Sequence, residues 1–159
     1  MRKLFLSIVL SLFVFISFAK GQDRLILPQP LTFKEHANDV TQNNDETLDF
    51  IADYLKQNPL VTKLLIECHV FTEASEQENL SLSLQRAAIV GYYLTEKGIN
   101  CSRLIITGFG NSSPAVGATD NQDNTRIEFF PAEYDGKQTL DYNLNDPNLR
   151  QYDPCEIDN

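Results

Sequence analysis

The hydrophobic pattern alternates between helical and strand-like along residues 25–130, and this alternation constrains the fold more than any other feature of the sequence. The first helical pattern starts at Asp45 and ends at Asn58-Pro59. The second starts near Ser81 or Ser83 and ends at Gly98, just past the last turn, where glycine is favoured. Gly91 lies on the apolar stripe of this second helix, so it predicts a close approach to a neighbouring sheet.

Strand-like segments flank both helical patterns. Residues 25–33 are apolar but contain Pro28 and Pro30, which cannot donate to a ladder, so a strand there is expected to be short or at an edge. The other strand-like segments are residues 63–70, 103–109 and 126–130. The order β-α-β-α-β-β, with a turn-rich loop at 110–124, predicts an α/β (α+β) sandwich with both helices packed on one face of a mixed sheet.

The two ends of the chain differ from this central region. Residues 1–21 begin with Arg2 and Lys3, continue with an apolar run shorter than a typical membrane span, and finish with a small-x-small triplet suited to peptidase cleavage. We therefore predict a signal peptide at residues 1–21, with an uncleaved anchor as the alternative. Residues 22–130 are long enough for one domain with its own core. Residues 131–159 are predicted to be an acidic extension, extended or partly ordered.

Charge and cysteine content limit the classes of function. The formal net charge is −9, and residues 1–21 contain three of the 13 basic residues and none of the 22 acidic ones, so the cleaved chain would be still more acidic. Such a chain repels phosphate backbones and anionic membrane surfaces, so we expect no nucleic acid partner. We also expect no membrane span once the apolar run of residues 1–21 is cleaved. The three cysteines fit no zinc pattern. We expect a disulfide between Cys101, in an exposed connection, and Cys155, in the free tail.

Four stretches carry a family resemblance: "NLSLSLQRA" at 79–87, "YYLTEKGI" at 92–99, "ITGFGNSSP" at 106–114 and "NTRIEF" at 124–129. In this order they resemble the OmpA-like C-terminal domain, the peptidoglycan-associating module of outer-membrane porins, lipoproteins and flagellar motor proteins. The resemblance covers about residues 25–130, and from His69 to Ala87 the spacing agrees without a gap. It implies a module of the Gram-negative envelope without a cofactor, secreted across the inner membrane into the periplasm or to the outer membrane.

The resemblance also implies a ligand. In the proteins that this chain resembles, an Asp two residues after the His and the Arg of Arg-Ala grip the free end of diaminopimelate in the peptidoglycan stem peptide. That end carries an ammonium and a carboxylate, so the site needs a charged acceptor and a fork of donors. Arg86 occupies the Arg position, but Phe71 occupies the Asp position. The missing charged hydrogen bond is worth about 1.5–3 kcal/mol, or roughly one to two powers of ten in affinity.

Further residues complete the ligand site that the resemblance implies: His69, Asn79, Asn124, Arg126 and Glu73. Glu73 or, as the alternative, Glu76 is the loop carboxylate that could reach the ammonium. We expect His69 to hold the loop by a hydrogen bond rather than to bind a metal. Asn124 and Arg126 are expected to organise the loop rim.

Two of the charged residues have structural roles to consider. Arg86 also fits a role as the ion-pair partner of Glu73, Glu76 or Glu78, and the sequence leaves both roles open. Glu128 is expected to pair with a basic group on the sheet.

Enzymatic function has no support in the sequence. Gly-x-Ser-x-Gly, a phosphate loop and His-Glu-x-x-His are all absent. Cys68 and His69 are neighbours on a predicted strand, so they point to opposite faces and cannot form a dyad. Two hypotheses remain: non-covalent peptidoglycan binding, weakened by Phe71, and an envelope protein-interaction or structural module that has lost this ligand and uses Phe71 as an aromatic anchor.

Overall fold

Two helices and five strands form the regular structure, which a computed structural model describes for residues 24–33, 44–115, 124–140, 143 and 150–156. A short 3₁₀ turn, Cys101–Arg103, precedes the second strand. The elements in chain order are α1 (Asp45–Gln57), β1 (Val61–His69), α2 (Glu76–Glu96), β2 (Leu104–Gly110), β3 (Arg126–Tyr134), β4 (Lys137–Gln138) and β5 (Gln151–Tyr152). The predicted signal peptide lies outside the described residues. Neither α1 nor α2 has the length and hydrophobicity needed to cross a bilayer.

The strands form one mixed sheet in the order β4-β3-β1-β2-β5. β1 is central and pairs in parallel with β2, which α2 connects to it, and in antiparallel fashion with β3. β3 turns into β4 through Asp135 and Gly136, both at positive φ, as a tight hairpin requires. The mixed sheet with two helices confirms the predicted fold class.

Both helices pack on one face of the sheet, as predicted. The core between the helices and the sheet contains Leu64, Ile66 and Cys68 of β1, which alternate along the strand and point to the same face. Gly91 of α2 lies so close to β2 that an added Cβ would be 2.4 Å from Ile106 Cδ1. The close approach predicted from this glycine is therefore confirmed. Among the described residues, the opposite face has a small apolar cluster of buried residues: Leu65, Ala132 and Leu140.

The element boundaries agree with the sequence in part. α1 has the predicted bounds. The predicted start of α2 near Ser81 or Ser83 is wrong, because Ser75 caps the helix and forms a capping box with Glu78. Residues 25–33 form no regular strand. Their described backbone contact with the sheet is the hydrogen bond from Leu25 N–H to the Phe129 carbonyl, 2.8 Å.

The C-terminal region is part of the sheet to a greater extent than the sequence indicates. β3 continues through Pro131 to Tyr134, past the predicted boundary at residue 130. Pro131 lies at a bulge of β3: Leu64 pairs with Pro131 and Lys63 with Glu133, so Ala132 has no partner on β1. At the other edge, β5 pairs with β2. The predicted disulfide between Cys101 and Cys155 is present and joins this tail to the turn before β2.

Candidate ligand-binding site

The loop between β1 and α2 is held in place by Asn79, which is fully buried in the first turns of α2. Its Oδ1 accepts hydrogen bonds from the Thr72 backbone N–H at 3.2 Å and the Thr72 hydroxyl at 2.7 Å. Its Nδ2 donates to the carbonyl oxygens of Thr72 at 3.4 Å and Ala74 at 3.2 Å. Because both the oxygen and the nitrogen of its side-chain amide bond to loop residues, Asn79 fixes the conformation of the loop. A direct contact between Asn79 and a ligand stays a prediction.

Phe71 begins this loop, and its backbone is fixed to the start of β3. The Phe71 N–H donates to Thr125 Oγ1 at 3.0 Å, and the Thr125 hydroxyl faces the Phe71 carbonyl at 3.4 Å. The Phe71 side chain is half-buried. Thr125 therefore has a structural role that the sequence comparison with the family motif did not reveal. Glu73 lies further along the same loop and is exposed.

Arg86 lies on the face of α2 that packs against the sheet, and only 6% of its surface is exposed. Its guanidinium carbon is 4.8 Å from the centroid of the Phe33 ring, in a cation–π contact. Burial lowers the pKa of Arg86, while the nearby Cys68 raises it. An arginine remains charged in either case. Phe33 is a contact that the sequence did not identify, because residues 25–33 showed only an apolar pattern.

Two of the three carboxylates considered as ion-pair partners of Arg86, those of Glu78 and Glu76, have other surroundings in the structure. The Glu78 carboxylate accepts a hydrogen bond from the Ser75 N–H at 2.9 Å, and the Ser75 bonds lower the pKa of Glu78. Glu78 therefore caps the helix. Glu76 is exposed and lines a groove of about 480 Å³ together with Arg150 of the tail and Gly108 and Phe109 of β2.

Cys68 lies in the core beneath Arg86. Burial raises the pKa of its thiol to about 12, although Arg86 and Arg126 act in the opposite direction. The thiol is therefore protonated at neutral pH and unreactive. His69 lies on the other face of the sheet, as the alternation along β1 predicts.

His69 does not have its predicted role. Its ring is 2% exposed and stacks on Phe109, with centroids 5.1 Å apart and planes 15° apart. Among the described residues neither ring nitrogen makes a hydrogen bond, so the prediction that His69 holds the loop by one is wrong. The ring lies on the face of the sheet opposite Arg86. His69 is therefore not close to the side chain that is predicted to bind the ligand carboxylate.

Asn124 and Arg126 make hydrogen bonds to the loop before β3, and their place at the rim of a ligand site stays a prediction. The Ala115 N–H donates to Asn124 Oδ1 at 2.9 Å. The guanidinium of Arg126 donates to the carbonyl oxygens of Ser113 at 3.4 Å and Asn124 at 3.1 Å, and its Nε donates to Glu128 at 2.9 Å. The expected pairing of Glu128 with a basic group on the sheet is thus confirmed, and Arg24 is a second, unpredicted partner.

The family of the chain is decided by comparison with known proteins. A model described as the OmpA family matches residues 32–128, which is more than half of the chain. The chain belongs to the OmpA family. The family is one of non-enzymatic structural proteins, so the prediction that the chain is not an enzyme is confirmed.

Two relatives of this OmpA-family chain have been curated under the name peptidoglycan-associated lipoprotein. The one from Haemophilus influenzae is 32% identical over 78 residues, which are 49% of this chain and 50% of that protein. The one from Pasteurella multocida is 30% identical over 71 residues, 45% of this chain and 47% of that protein. The chain therefore spans about half the length of the curated relatives that it matches.

Solved structures share the fold at lower sequence identity. The peptidoglycan-associated lipoprotein of Burkholderia pseudomallei superimposes with a TM-score of 0.55 at 22% identity, covering 63% of this chain and 86% of that one. The periplasmic domain of Helicobacter pylori MotB gives a TM-score of 0.54 at 19% identity, covering 63% of this chain and 68% of that one. These similarities show that the OmpA-like fold is present.

Proposed function

We propose that this protein is a non-covalent peptidoglycan-binding module of the bacterial envelope, in the periplasm or at the outer membrane. Its ligand is the diaminopimelate end of the stem peptide, which it binds with reduced affinity because Phe71 replaces an acidic residue. Membership of the OmpA family supports the class of ligand. The names of the two curated relatives, both peptidoglycan-associated lipoproteins, support the same ligand and location.

The observation that carries this proposal is the position of Arg86. Its side chain is buried and held against the Phe33 ring, so its rotamer is restricted before any ligand arrives. A planar guanidinium fixed in this way loses little further freedom on binding a carboxylate, and it can offer two parallel donors. We assign to Arg86 the role of gripping the carboxylate of diaminopimelate.

The ammonium of the same ligand lacks a matching acceptor at position 71. The loop that carries Phe71 is fixed by Thr125 and Asn79, so its backbone presents the side chain at position 71 in one place. A phenyl ring there offers only a cation–π contact to the ammonium. Glu73, which is exposed on the same loop, is the carboxylate we propose as a partial replacement.

Sedimentation with purified diaminopimelate-type peptidoglycan tests this proposal. We expect the wild-type protein to sediment with the polymer and Arg86→Met, which keeps the length but removes the fork, to lose about tenfold or more in affinity. Lys97→Met is the matched control, because it removes the same charge from an ion pair with Asp49 on the helices, away from the loops. Thermal unfolding of each variant establishes that it is folded.

Equal sedimentation of the wild type and a folded Arg86→Met variant would contradict the assignment of Arg86. If Arg86→Met does not fold, Arg86→Lys keeps the positive charge without the fork and should bind more weakly than the wild type. A wild-type protein that remains in the supernatant at every concentration contradicts peptidoglycan binding.

The second candidate function is an envelope protein-interaction module. It is favoured by one observation, which is that Phe71 places a half-buried aromatic ring on a fixed loop. Rigid aromatic side chains are common anchors at protein interfaces. Phe71→Ala would weaken partner capture under this hypothesis, whereas it would leave binding by Arg86 largely intact under the first.

A further inference from the structure

A second group of polar side chains lies on the face of the sheet opposite the helices. Glu67 and Glu128 are cross-strand partners on β1 and β3, and His69 follows two residues after Glu67 on the same face. The carboxylate side chains are each 13% exposed and the His69 side chain 3%. Three potential metal ligands are therefore gathered in a largely buried position, on the face of the sheet opposite Arg86.

His69 is the observation that points to a ligand. The Nε2 atom is 3.7 Å from Glu67 Oε2 and 3.7 Å from Glu128 Oε2, too far for a hydrogen bond to either oxygen. Neither of its ring nitrogens has another hydrogen-bond partner among the described residues, although the ring is almost completely buried. Burial of an unpartnered polar group is unfavourable, and such groups in a native protein call for a specific explanation.

The spacing suits a metal ion. One nitrogen and two oxygens from the three side chains lie within 4.8 Å of one another. Ligand atoms about 2.0 Å from a tetrahedral zinc ion are roughly 3.3 Å apart, so the two 3.7 Å separations need to contract by a few tenths of an ångström. The two carboxylate oxygens lie within 4.8 Å of each other, and a rotation of the glutamate side chains brings them closer. One imidazole with two carboxylates is a donor set that zinc accepts, and the fourth position is then taken by water.

We propose that Glu67, His69 and Glu128 form a binding site for a divalent transition-metal ion of the zinc class. The metal takes Nε2 of His69 and one oxygen of each carboxylate, and it joins β1 to β3 on the face opposite the helices. This site does not depend on peptide binding, because Arg86 lies on the other face of the sheet.

Two arginines compete with the metal for Glu128. Arg126 donates to Glu128 Oε2 at 2.9 Å, and Arg24 donates to Oε1. The Arg24 side chain is 58% exposed and lies in the segment before α1, so it is the easier of the two to displace. Metal binding is therefore expected to release Arg24 from the sheet. Removing Arg24 should tighten metal binding by about two- to fivefold, the value of one exposed ion pair.

Calorimetric titration of the chelator-treated protein with Zn²⁺ tests the site. We expect the wild type to bind one ion, and His69→Gln to lose more than the roughly 10–100-fold that removal of an outer-shell partner costs. His36→Gln, which alters the only other histidine of the chain, is the matched control and should bind like the wild type. Arg24→Gln should bind more tightly, and Glu67→Gln more weakly.

A spectroscopic measurement on the wild type keeps the test independent of variant folding. Long-range ¹H–¹⁵N correlation spectra should show one histidine whose Nε2 resonance shifts to the metal-bound position on addition of one equivalent of Zn²⁺. The proposal is overturned if no histidine nitrogen shifts. It is also overturned if folded His69→Gln binds Zn²⁺ as tightly as the wild type.

Discussion

The two faces of the central sheet are built differently, although neighbouring residues of the same strands form both. On the helix side, the β1 side chains Leu64, Ile66 and Cys68 are fully or almost fully buried in one apolar core. On the other side, the same strand presents Glu67 and His69, and the apolar cluster is small. The difference indicates that the larger apolar core lies on the helix side, while the opposite face carries buried polar groups together with a smaller apolar cluster.

The largest difference in the free energy of unfolding is expected between alanine variants of two adjacent phenylalanines of β3. Phe129 is fully buried on the helix side, whereas Phe130 is partly buried on the face opposite the helices. Phe129→Ala should lower the free energy of unfolding by about 3–5 kcal/mol, because it leaves a cavity in a close-packed core. Phe130→Ala should cost clearly less. Urea unfolding of the two variants measures both values, and equal losses would show that the faces contribute alike.

A smaller contrast is expected between adjacent residues of β2. A Cβ at Gly108 would lie 2.5 Å from the Leu84 backbone nitrogen, which cannot move aside easily, so Gly108→Ala should destabilise the protein by about 1–3 kcal/mol. The buried hydroxyl of Thr107 has no hydrogen-bond partner among the described residues. Thr107→Val should therefore change the unfolding free energy by less than about 1 kcal/mol, or raise it slightly. A large loss of unfolding free energy in Thr107→Val would contradict this description of the face opposite the helices.

The smallest effect is expected for the pH dependence of the stability that Glu128 contributes on the face opposite the helices. Burial raises the pKa of Glu128, but the hydrogen bonds and charges of Arg24 and Arg126 outweigh it, so the pKa is held below the usual range. A carboxylate with a depressed folded-state pKa stabilises the protein above the unfolded value of about 4.3, and this contribution is lost as the pH falls through the folded value. It should be less than about 1 kcal/mol because Arg24 is exposed.

Thermal unfolding with a chelator present, at pH 7 and near pH 3, measures this contribution. The stability difference between the wild type and Glu128→Gln should shrink at the lower pH. Glu96→Gln, an exposed acidic residue at the end of α2, is the control and should show no such trend. A difference that stays constant between the two pH values would mean that the ion pairs of Glu128 do not stabilise the fold.

The sequence predicts those parts of the fold that depend on local signals. Asn58-Pro59 marks the end of α1, and Gly91 correctly indicates contact between α2 and the sheet. The start of α2 is missed because Ser75 and Glu78 lie in a polar stretch with no apolar stripe, although their spacing is that of a capping box. The passage of β3 through Pro131 goes with a bulge at Ala132, which is defined by the pairing with β1 and not by a local sequence signal.

In the candidate site, too, the sequence predicts local features but not those that depend on the pairing of distant strands. Motif spacing predicts Arg86, Asn124 and Arg126 as site residues, which stays a prediction, and the structure shows the last two bonded to residues of the loop before β3. The group of Glu67, His69 and Glu128 is missed, because β1 and β3 are paired by the fold and not by proximity in the sequence. Alternation along β1 does place Glu67 and His69 on one face, but the sequence does not reveal that Glu128 lies opposite them.

The central claim is that Arg86 meets the carboxylate of the ligand while position 71 lacks an acceptor for its ammonium. Calorimetric titration of diaminopimelate into the wild type, Phe71→Asp and Phe71→Asn tests it most directly. The asparagine variant is the control, since it removes the ring without adding charge. We expect Phe71→Asp to bind about 10–100-fold more tightly than the wild type, and Phe71→Asn to show no comparable gain. A wild-type protein that binds as tightly as Phe71→Asp would contradict the claim.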